Sequence, residues 1–255
     1  MVGLPRDARN RSESGIYHIM LRGINRQNIF EDEQDIERLL ETIKRYREVS
    51  MCEIYAYCIM SNHIHILTKE VEESISDTIK RISSSYVFWY NKKYERCGHL
   101  FQERFKSEAV ENDEYFLTVL RYIHQNPIKA GIVKDIKQYK WSSYREYLGE
   151  AVIINPDFAL DIFSSDRKSA IELFCSFNNQ KNNDICLEDN EKFRLSDLEL
   201  KQLLIKLGVV DPKELKNKDR TKRAEIIKKV KEVNGVTVRQ LSKITGISKS
   251  QIGRM

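Results

Sequence analysis

Hydrophobic residues in the first 150 positions change their spacing several times, and this pattern limits the fold more than any other feature. Apolar residues at helical spacing predict helices over residues 32–49 and 74–92. A third helix is expected to begin after an Asn112 cap and to end near Pro127. The order β-α-β-β-α-β predicts an α+β fold of the ferredoxin-like type, an antiparallel sheet with helices on one face. Alternating residues predict the strands over residues 15–22, 53–60, 63–68 and 101–110.

Charge divides the chain into three predicted regions. Residues 1–150 carry 23 Lys and Arg against 23 Asp and Glu, and form the first predicted domain. Residues 151–212 carry 7 against 11 and are interpreted as an acidic helical connector. Residues 213–255 carry 13 against 4, a concentrated basic excess that is typical of a segment that contacts nucleic acid. A solvated, lysine-rich helical surface is the alternative interpretation of the last region.

The basic region also has the spacing of a helix-turn-helix. Two short helical patterns with apolar residues at Leu241, Ile244 and Ile252 are separated by a turn that contains Gly246. Such a pair of helices is the unit that many proteins use to read DNA, so the sequence predicts a C-terminal helix-turn-helix. Its candidate DNA-contacting cations are Arg239, Lys249 and Arg254.

Two histidines are the first candidate site residues. His63 and His65 are two positions apart in a predicted strand, so both imidazoles leave the same face of the sheet. Neutral imidazole nitrogens in that arrangement can hold one divalent metal ion. Paired surface histidines without a function are the alternative.

A tyrosine and an asparagine on the third predicted helix are the second candidates. Tyr122 and Asn126 are four residues apart and therefore share a helix face. A tyrosine hydroxyl can act as a nucleophile, and an amide oxygen can complete a metal site. A packing tyrosine and a helix-ending asparagine form the structural alternative. Tyr115, seven residues earlier on nearly the same face, competes with Tyr122 for the role of nucleophile.

Three motifs in this order resemble those of a known family. Residues 61–67 (SNHIHIL), 121–131 (RYIHQNPIKAG) and 141–144 (WSSY) are similar to motifs of the single-tyrosine HUH transposases. The likeness is greatest to the REP-associated tyrosine transposases, in the IS200-like group, and it covers roughly residues 5–150. The C-terminal extension departs from the minimal pattern of that family.

The resemblance implies a metal-dependent enzyme that nicks and rejoins DNA. It implies that His63 and His65 bind Mg²⁺ or Mn²⁺ and that Tyr122 forms a 5′-phosphotyrosine link to single-stranded or hairpin DNA. Asn126 stands where related transposases have a third polar metal ligand, often the longer glutamine. Candidate contacts to the phosphate backbone, chosen by position, are Arg22, Arg26, Arg104 and Lys106.

Two other functions stay open from the sequence. One is a DNA-binding regulator that keeps the fold but does not cut DNA. The other is an RNA-binding module with the same order of elements, although residues 101–110 lack the stacking aromatics and glycines of such modules. Five cysteines without a CxxC pair, no leader-like N-terminus and no long apolar run favour a cytoplasmic, nucleoid-associated protein without a membrane partner. The assembly expected is a monomer or a homodimer.

Overall fold

The computed structural model describes residues 11–102, 104–187, 197–209, 211–217, 219–233, 236 and 238–254. Contacts divide the chain into two units, residues 1–188 and 189–255. None of the helices in the described ranges is both long and apolar enough to cross a membrane. The first unit is an α+β structure built on one antiparallel sheet, and the described part of the second is largely helical. The strands of the first unit are β1 (Ile16–Arg22), β2 (Glu53–Met60), β3 (His63–Lys69) and β4 (Lys106–Ala109).

The four strands lie in the order β2-β3-β1-β4, and all neighbours are antiparallel. Consecutive strands β2 and β3 form a hairpin, whereas the other two connections each pass over one strand. β1 and β3 are therefore the central strands, with Arg22 opposite His63 and Met20 opposite His65. Residues opposite each other in paired strands point to the same face of the sheet.

The connecting helices α1 (Glu33–Ser50) and α2 (Ile75–Lys93) pack against each other. Their starts follow from local chemistry, because Asp32 caps α1 by accepting the Asp35 amide and Ser74 caps α2 by accepting the Asp77 amide. Both helices lie within one residue of their predicted bounds. Leu21 lines a cavity with α2, so α2 lies on the opposite face of the sheet from Met20 and Arg22.

The strand predicted over residues 101–110 is wrong in its first half. Only Lys106–Ala109 form β4, whereas Phe101 makes an isolated bridge with Gly23. Five steps separate Phe101 from Lys106, but only three separate their partners Gly23 and Met20. The two additional residues cannot join the ladder. The chain therefore leaves β1 after Gln102, whose amide donates to the Arg22 carbonyl at 2.7 Å, and pairs with β1 again at Lys106.

Helix α3 (Asp113–Lys129) follows β4 and covers the other face of the sheet. Asn112 caps it as predicted, since its side chain accepts the amide of Tyr115 at 2.8 Å. The helix ends at Lys129, two residues beyond Pro127 and in agreement with the predicted end near that proline. Proline removes the backbone hydrogen bond to the carbonyl four residues earlier, although its fixed φ suits a helix. Gly131, with φ of +70°, then reverses the chain.

Residues that follow position 150 complete the core of the first unit. Helices α4 (Asp157–Phe163) and α5 (Arg167–Asn178) pack against each other, and α5 also contacts α3. Phe174 is fully buried and stacks on Tyr147, with ring centroids 4.3 Å apart. This packing fixes the side of α3 that faces away from the sheet.

The second unit has its own apolar core. It contains α6 (Asp197–Lys206), α7 (Arg220–Glu232), α8 (Val238–Thr245) and α9 (Lys249–Gly253). A short turn with Gly246 at φ +71° joins α8 to α9, and Ser248 caps α9 by accepting the amide of Gln251. The apolar side chains of the two short helices and the turn between them are buried, namely Leu241, Ile244, Ile247 and Ile252.

Candidate active site

Side chains of β1, β3 and α3 meet on the face of the sheet that α3 covers. Strand alternation sends His63 and His65 to that face, and the pairing register adds Met20 and Arg22 from β1. The rings of His63 and His65 lie edge to face with centroids 5.1 Å apart. The two histidines of the predicted metal pair therefore lie side by side in the folded chain.

His65 is buried and bound to a third histidine that the sequence analysis missed. Nε2 of His18 lies 2.9 Å from Nδ1 of His65, and both side chains are almost completely excluded from solvent. Burial lowers the pKa of His18 to about 3. Burial lowers the pKa of His65 as well, and the charges of His18, His63 and Arg22 act in the same direction. Both imidazoles are therefore neutral at ordinary pH, the form that binds metals.

His63 is more accessible than His65. Its Nδ1 lies 2.6 Å from Oδ1 of Asn62, the residue that precedes it in the β2–β3 turn. This hydrogen bond requires a proton on Nδ1, which directs the unprotonated Nε2 away from Asn62. The neighbouring asparagine thus selects one imidazole tautomer for a metal ligand.

Tyr122 is the tyrosine of α3 that contacts the histidines. Its ring lies 5.6 Å from the ring of His65 and 5.8 Å from that of His18, in both cases edge to face. The ammonium group of Lys129 lies 4.8 Å above the same ring. A cation in that position can balance the charge of a phosphate bound at the tyrosine.

The competitor Tyr115 has different surroundings. Burial raises the pKa of its hydroxyl, and Glu108 and Cys186 raise it further. A raised pKa makes the hydroxyl a poorer source of phenolate, but Tyr122 is itself only 5% exposed, so burial alone does not separate the two tyrosines. The two tyrosines, which the sequence pattern could not separate, thus differ in their neighbours.

Asn126 lies one turn after Tyr122 and is partly exposed. Its side-chain nitrogen donates to the backbone carbonyl of Tyr122 at 3.3 Å. Its side-chain oxygen is then the atom with which it could bind a metal. The described residues hold no group of three or more His, Cys, Asp or Glu side chains in metal-binding geometry. The metal set predicted from the sequence has two residues of these four types, His63 and His65, and its third member, Asn126, is an amide.

The candidate DNA-contacting cations are distributed over several surfaces. Arg22 and Lys106 project from β1 and β4 on the same face as the histidines, because their strand partners are His63 and Met20. Arg26 is exposed in the turn after β1, and its carbonyl accepts the Asn62 side chain. Three of the predicted cations lie exposed in the second unit, namely Arg239, Lys249 and Arg254.

Arg104 does not lie on the face of the histidines. It lines a cavity beside α2 together with Phe105, because neither residue is paired with β1.

Two residues of the Tyr122 motif serve packing instead. His124 is fully buried between Asn178 and Ser143, with hydrogen-bond distances of 3.1 and 3.0 Å from its two nitrogens. Gln125 donates to the backbone carbonyls of Asn178 and Gln180. These bonds hold α3 against the end of α5 and the residues that follow it. They also fix the rotation of the helix that carries Tyr122.

His18 was missed because a single sequence does not reveal strand register. The available signal was the alternation of His18, Met20 and Arg22 on β1, which predicts a shared face but not which residue lies beside His65. Oε2 of Glu108 on β4 also lies 4.0 Å from Nδ1 of His18. Since His18 is neutral, this contact between the Glu108 carboxylate and the His18 ring is not an ion pair.

Comparison with known proteins gives one consistent result. Residues 12–126 match the family described as "Transposase IS200 like". The chain is 27% identical over 124 residues to a protein of Haemophilus influenzae named as a REP-associated tyrosine transposase, covering 42% of this chain and 70% of that protein. It is 24% identical over 132 residues to the REP-associated tyrosine transposase of Escherichia coli K12, covering 50% and 74%.

One solved structure shares the fold. It is described as a REP-associated tyrosine transposase bound to a REP hairpin, with a TM-score of 0.50 and 18% sequence identity. The likeness covers 58% of this chain and 88% of that one.

Proposed function

We propose, from the match of residues 12–126 to the family described as "Transposase IS200 like", that this chain cleaves and rejoins single-stranded DNA through a covalent tyrosine intermediate. The observation that carries the proposal is the contact of the Tyr122 ring with His65, beside His63 on the same face of the sheet. The strand order β2-β3-β1-β4, with its two crossing connections, supports the ferredoxin-like assignment of the first unit.

A divalent cation, Mg²⁺ or Mn²⁺, would be held by His63, His65 and the Asn126 side-chain oxygen. When bound, it supplies a positive charge that polarises a non-bridging phosphate oxygen. His65 would bind through Nε2, which requires its proton on Nδ1, directed at Nε2 of His18. His18 is therefore a positioning residue that accepts this hydrogen bond and fixes the orientation of the His65 ring.

Tyr122 then performs the covalent step. Its hydroxyl oxygen attacks the phosphorus, the bond from phosphorus to the 3′ oxygen breaks, and the proton lost by the tyrosine ends on that 3′ oxygen. The product is a 5′-phosphotyrosine and a free 3′-hydroxyl. Because a phosphodiester replaces a phosphodiester, another 3′-hydroxyl can reverse the step and join two strands without ATP. Lys129 and Arg22 supply positive charge beside the reacting phosphate.

The substrate proposed is single-stranded DNA next to a hairpin. A solved structure with this fold is described as bound to a REP hairpin, and residues 121–126 of the Tyr122 motif lie inside the match to the family. In the second unit, α8, α9 and the Gly246 turn have the spacing of a helix-turn-helix. The exposed cations of this unit support a second, metal-independent contact with the phosphate backbone.

Detection of a protein–DNA adduct tests the proposal. The chain is incubated with single-stranded oligonucleotides from the flanks of its own gene and Mn²⁺, then separated on a denaturing gel. We expect an adduct from the parent and from Tyr115→Phe, but none from Tyr122→Phe, which lacks only the hydroxyl oxygen. An adduct lost in Tyr115→Phe and kept in Tyr122→Phe contradicts the assignment. A parent that binds these strands and never forms an adduct favours the non-cutting regulator.

A further inference from the structure

We propose that a cavity between α2 and residues 99–101, 104 and 105 binds an unpaired nucleotide of the DNA strand, outside the phosphodiester that is cleaved. This inference rests on the proposed function, because it assumes that the chain handles single-stranded DNA. It assigns a ligand to a surface that the chemistry of Tyr122 and the histidines does not use.

The cavity has the size and position of a ligand site. Its volume is about 700 Å³, within the usual range for sites that hold small molecules. One wall is α2, with Lys80, Ser84 and Phe88, and the other is the bulged segment, with Arg104 and Phe105. The wall opposite α2 exists because Arg104 and Phe105 lie outside the ladder with β1.

An exposed aromatic ring gives this cavity a surface for a base. Phe88 is 75% exposed, although it lies inside α2, where Tyr86 and Tyr90 are fully buried. Exposure of so large an apolar side chain has a cost in water that a stacked partner would remove. Unpaired nucleobases stack on aromatic side chains with little preference for sequence. Phe88 is therefore the predicted stacking surface.

Cations on both walls give the cavity an affinity for phosphate. Lys80 and Arg104 are exposed, and neither forms an ion pair with another described residue. Asp77, the acidic residue of the lining, accepts a hydrogen bond from Ser74 at the start of α2. The two cations can contact phosphate, the aromatic ring can stack on a base, and the hydroxyl of Ser84 can form a hydrogen bond. This set of groups matches the parts of a nucleotide. A purely apolar protein partner would leave these cations without a counter-charge.

The cavity is also continuous with the proposed active site along the chain. Arg104 lines the cavity, and Lys106, two residues later, begins β4 on the face of the histidines. At most ~7 Å of backbone separates these two positions. A single strand that crosses the edge of the sheet beside β4 would contact Lys106 first and then Arg104. One extended ligand could therefore contact Arg104 on one face of the sheet and Lys106 on the other.

Binding of a fluorescent dT12 oligonucleotide, followed by anisotropy without divalent metal, tests the proposal. We expect Phe88→Ala to weaken binding by about tenfold, the loss of one stacked base. Lys80→Gln and Arg104→Gln should each lower the slope of log affinity against log salt by ~0.7, the value for one phosphate contact with a single strand. Val49→Ala and Lys44→Gln, exposed positions on α1, are the matched controls and should bind as the parent does.

A photocrosslink locates the contact directly. With 5-iododeoxyuridine in the dT12 strand, we expect crosslinked peptides that contain Phe88 or Phe105. Unchanged affinity in Phe88→Ala together with crosslinks elsewhere overturns the inference. A change of oligomeric state in Phe88→Ala with unchanged DNA affinity also overturns it, since the surface is then a protein interface. The adduct assay with the parent separates these results from a failure of the proposed function, because this test measures binding alone.

Discussion

Replacement of His18 by phenylalanine tests how the metal pair is held. The substitution keeps an aromatic ring in a fully buried position but removes the acceptor that lies 2.9 Å from Nδ1 of His65. A buried donor without a partner costs ~1–3 kcal/mol. The Nδ1–H form of His65 bears that cost, and it is the form that binds a metal through Nε2.

The expected loss of metal affinity follows from this cost. Loss of a partner that orients a metal-bound histidine typically weakens binding ~10–100-fold, equivalent to ~1.4–2.7 kcal/mol. The two ranges agree, so we expect Mn²⁺ binding, measured by calorimetry, to fall ~10–100-fold in His18→Phe. His18→Gln retains an acceptor at a similar reach and should recover most of the affinity.

His124→Phe is the matched control for this experiment. His124 is also fully buried with hydrogen bonds at both nitrogens, but its partners are Asn178 and Ser143. We expect it to lower the free energy of unfolding without a change in Mn²⁺ affinity. Parent-like Mn²⁺ binding in His18→Phe would refute the positioning role. An equal loss in His124→Phe would show that general destabilisation, and not the lost acceptor, causes the effect.

Three further predictions concern the metal, the pH dependence of stability and the second unit. His63→Ala and His65→Ala should each bind Mn²⁺ much more weakly than the parent by calorimetry, and equal binding by all three proteins contradicts the metal assignment. Burial lowers the pKa of His124 to about 4 from an unfolded value of ~6.5. The contribution of neutral His124 to the unfolding free energy should therefore be fully present above pH ~6.5, and about 3 kcal/mol of it should be lost as the pH drops to 4. Urea titrations should find that part of the decline absent in His124→Phe, and an unchanged pH profile in that variant excludes the buried neutral state. Deletion of residues 189–255 should weaken DNA binding and flatten its salt dependence, and an unchanged affinity assigns that unit another role.

Local patterns predicted most elements of the first unit. The bounds of β2 match the prediction, and the caps Asp32, Ser74 and Asn112 mark where helices begin, because side-chain oxygens near a helix start act within three residues. The same local chemistry indicated that His63 and His65 share a face.

Long-range register explains what the sequence could not predict. The bulge before Lys106 depends on where Phe101 meets Gly23, and the contact of His18 with His65 depends on the pairing of β1 with β3. Neither is encoded in neighbouring residues. The neighbours by which Tyr122 differs from Tyr115 are likewise not described by helical spacing.

The hydrogen bonds between α3 and the end of α5 have a consequence for how homologous sequences should vary. His124 and Gln125 lie inside the motif that contains Tyr122, yet both bond to Asn178 and its neighbours. Their identity should therefore covary with Asn178 across relatives and change freely in those without α5. Tyr122 should show no such dependence. Conservation of a whole motif can thus combine two selective pressures, one from catalysis and one from a helix-packing contact more than fifty residues away.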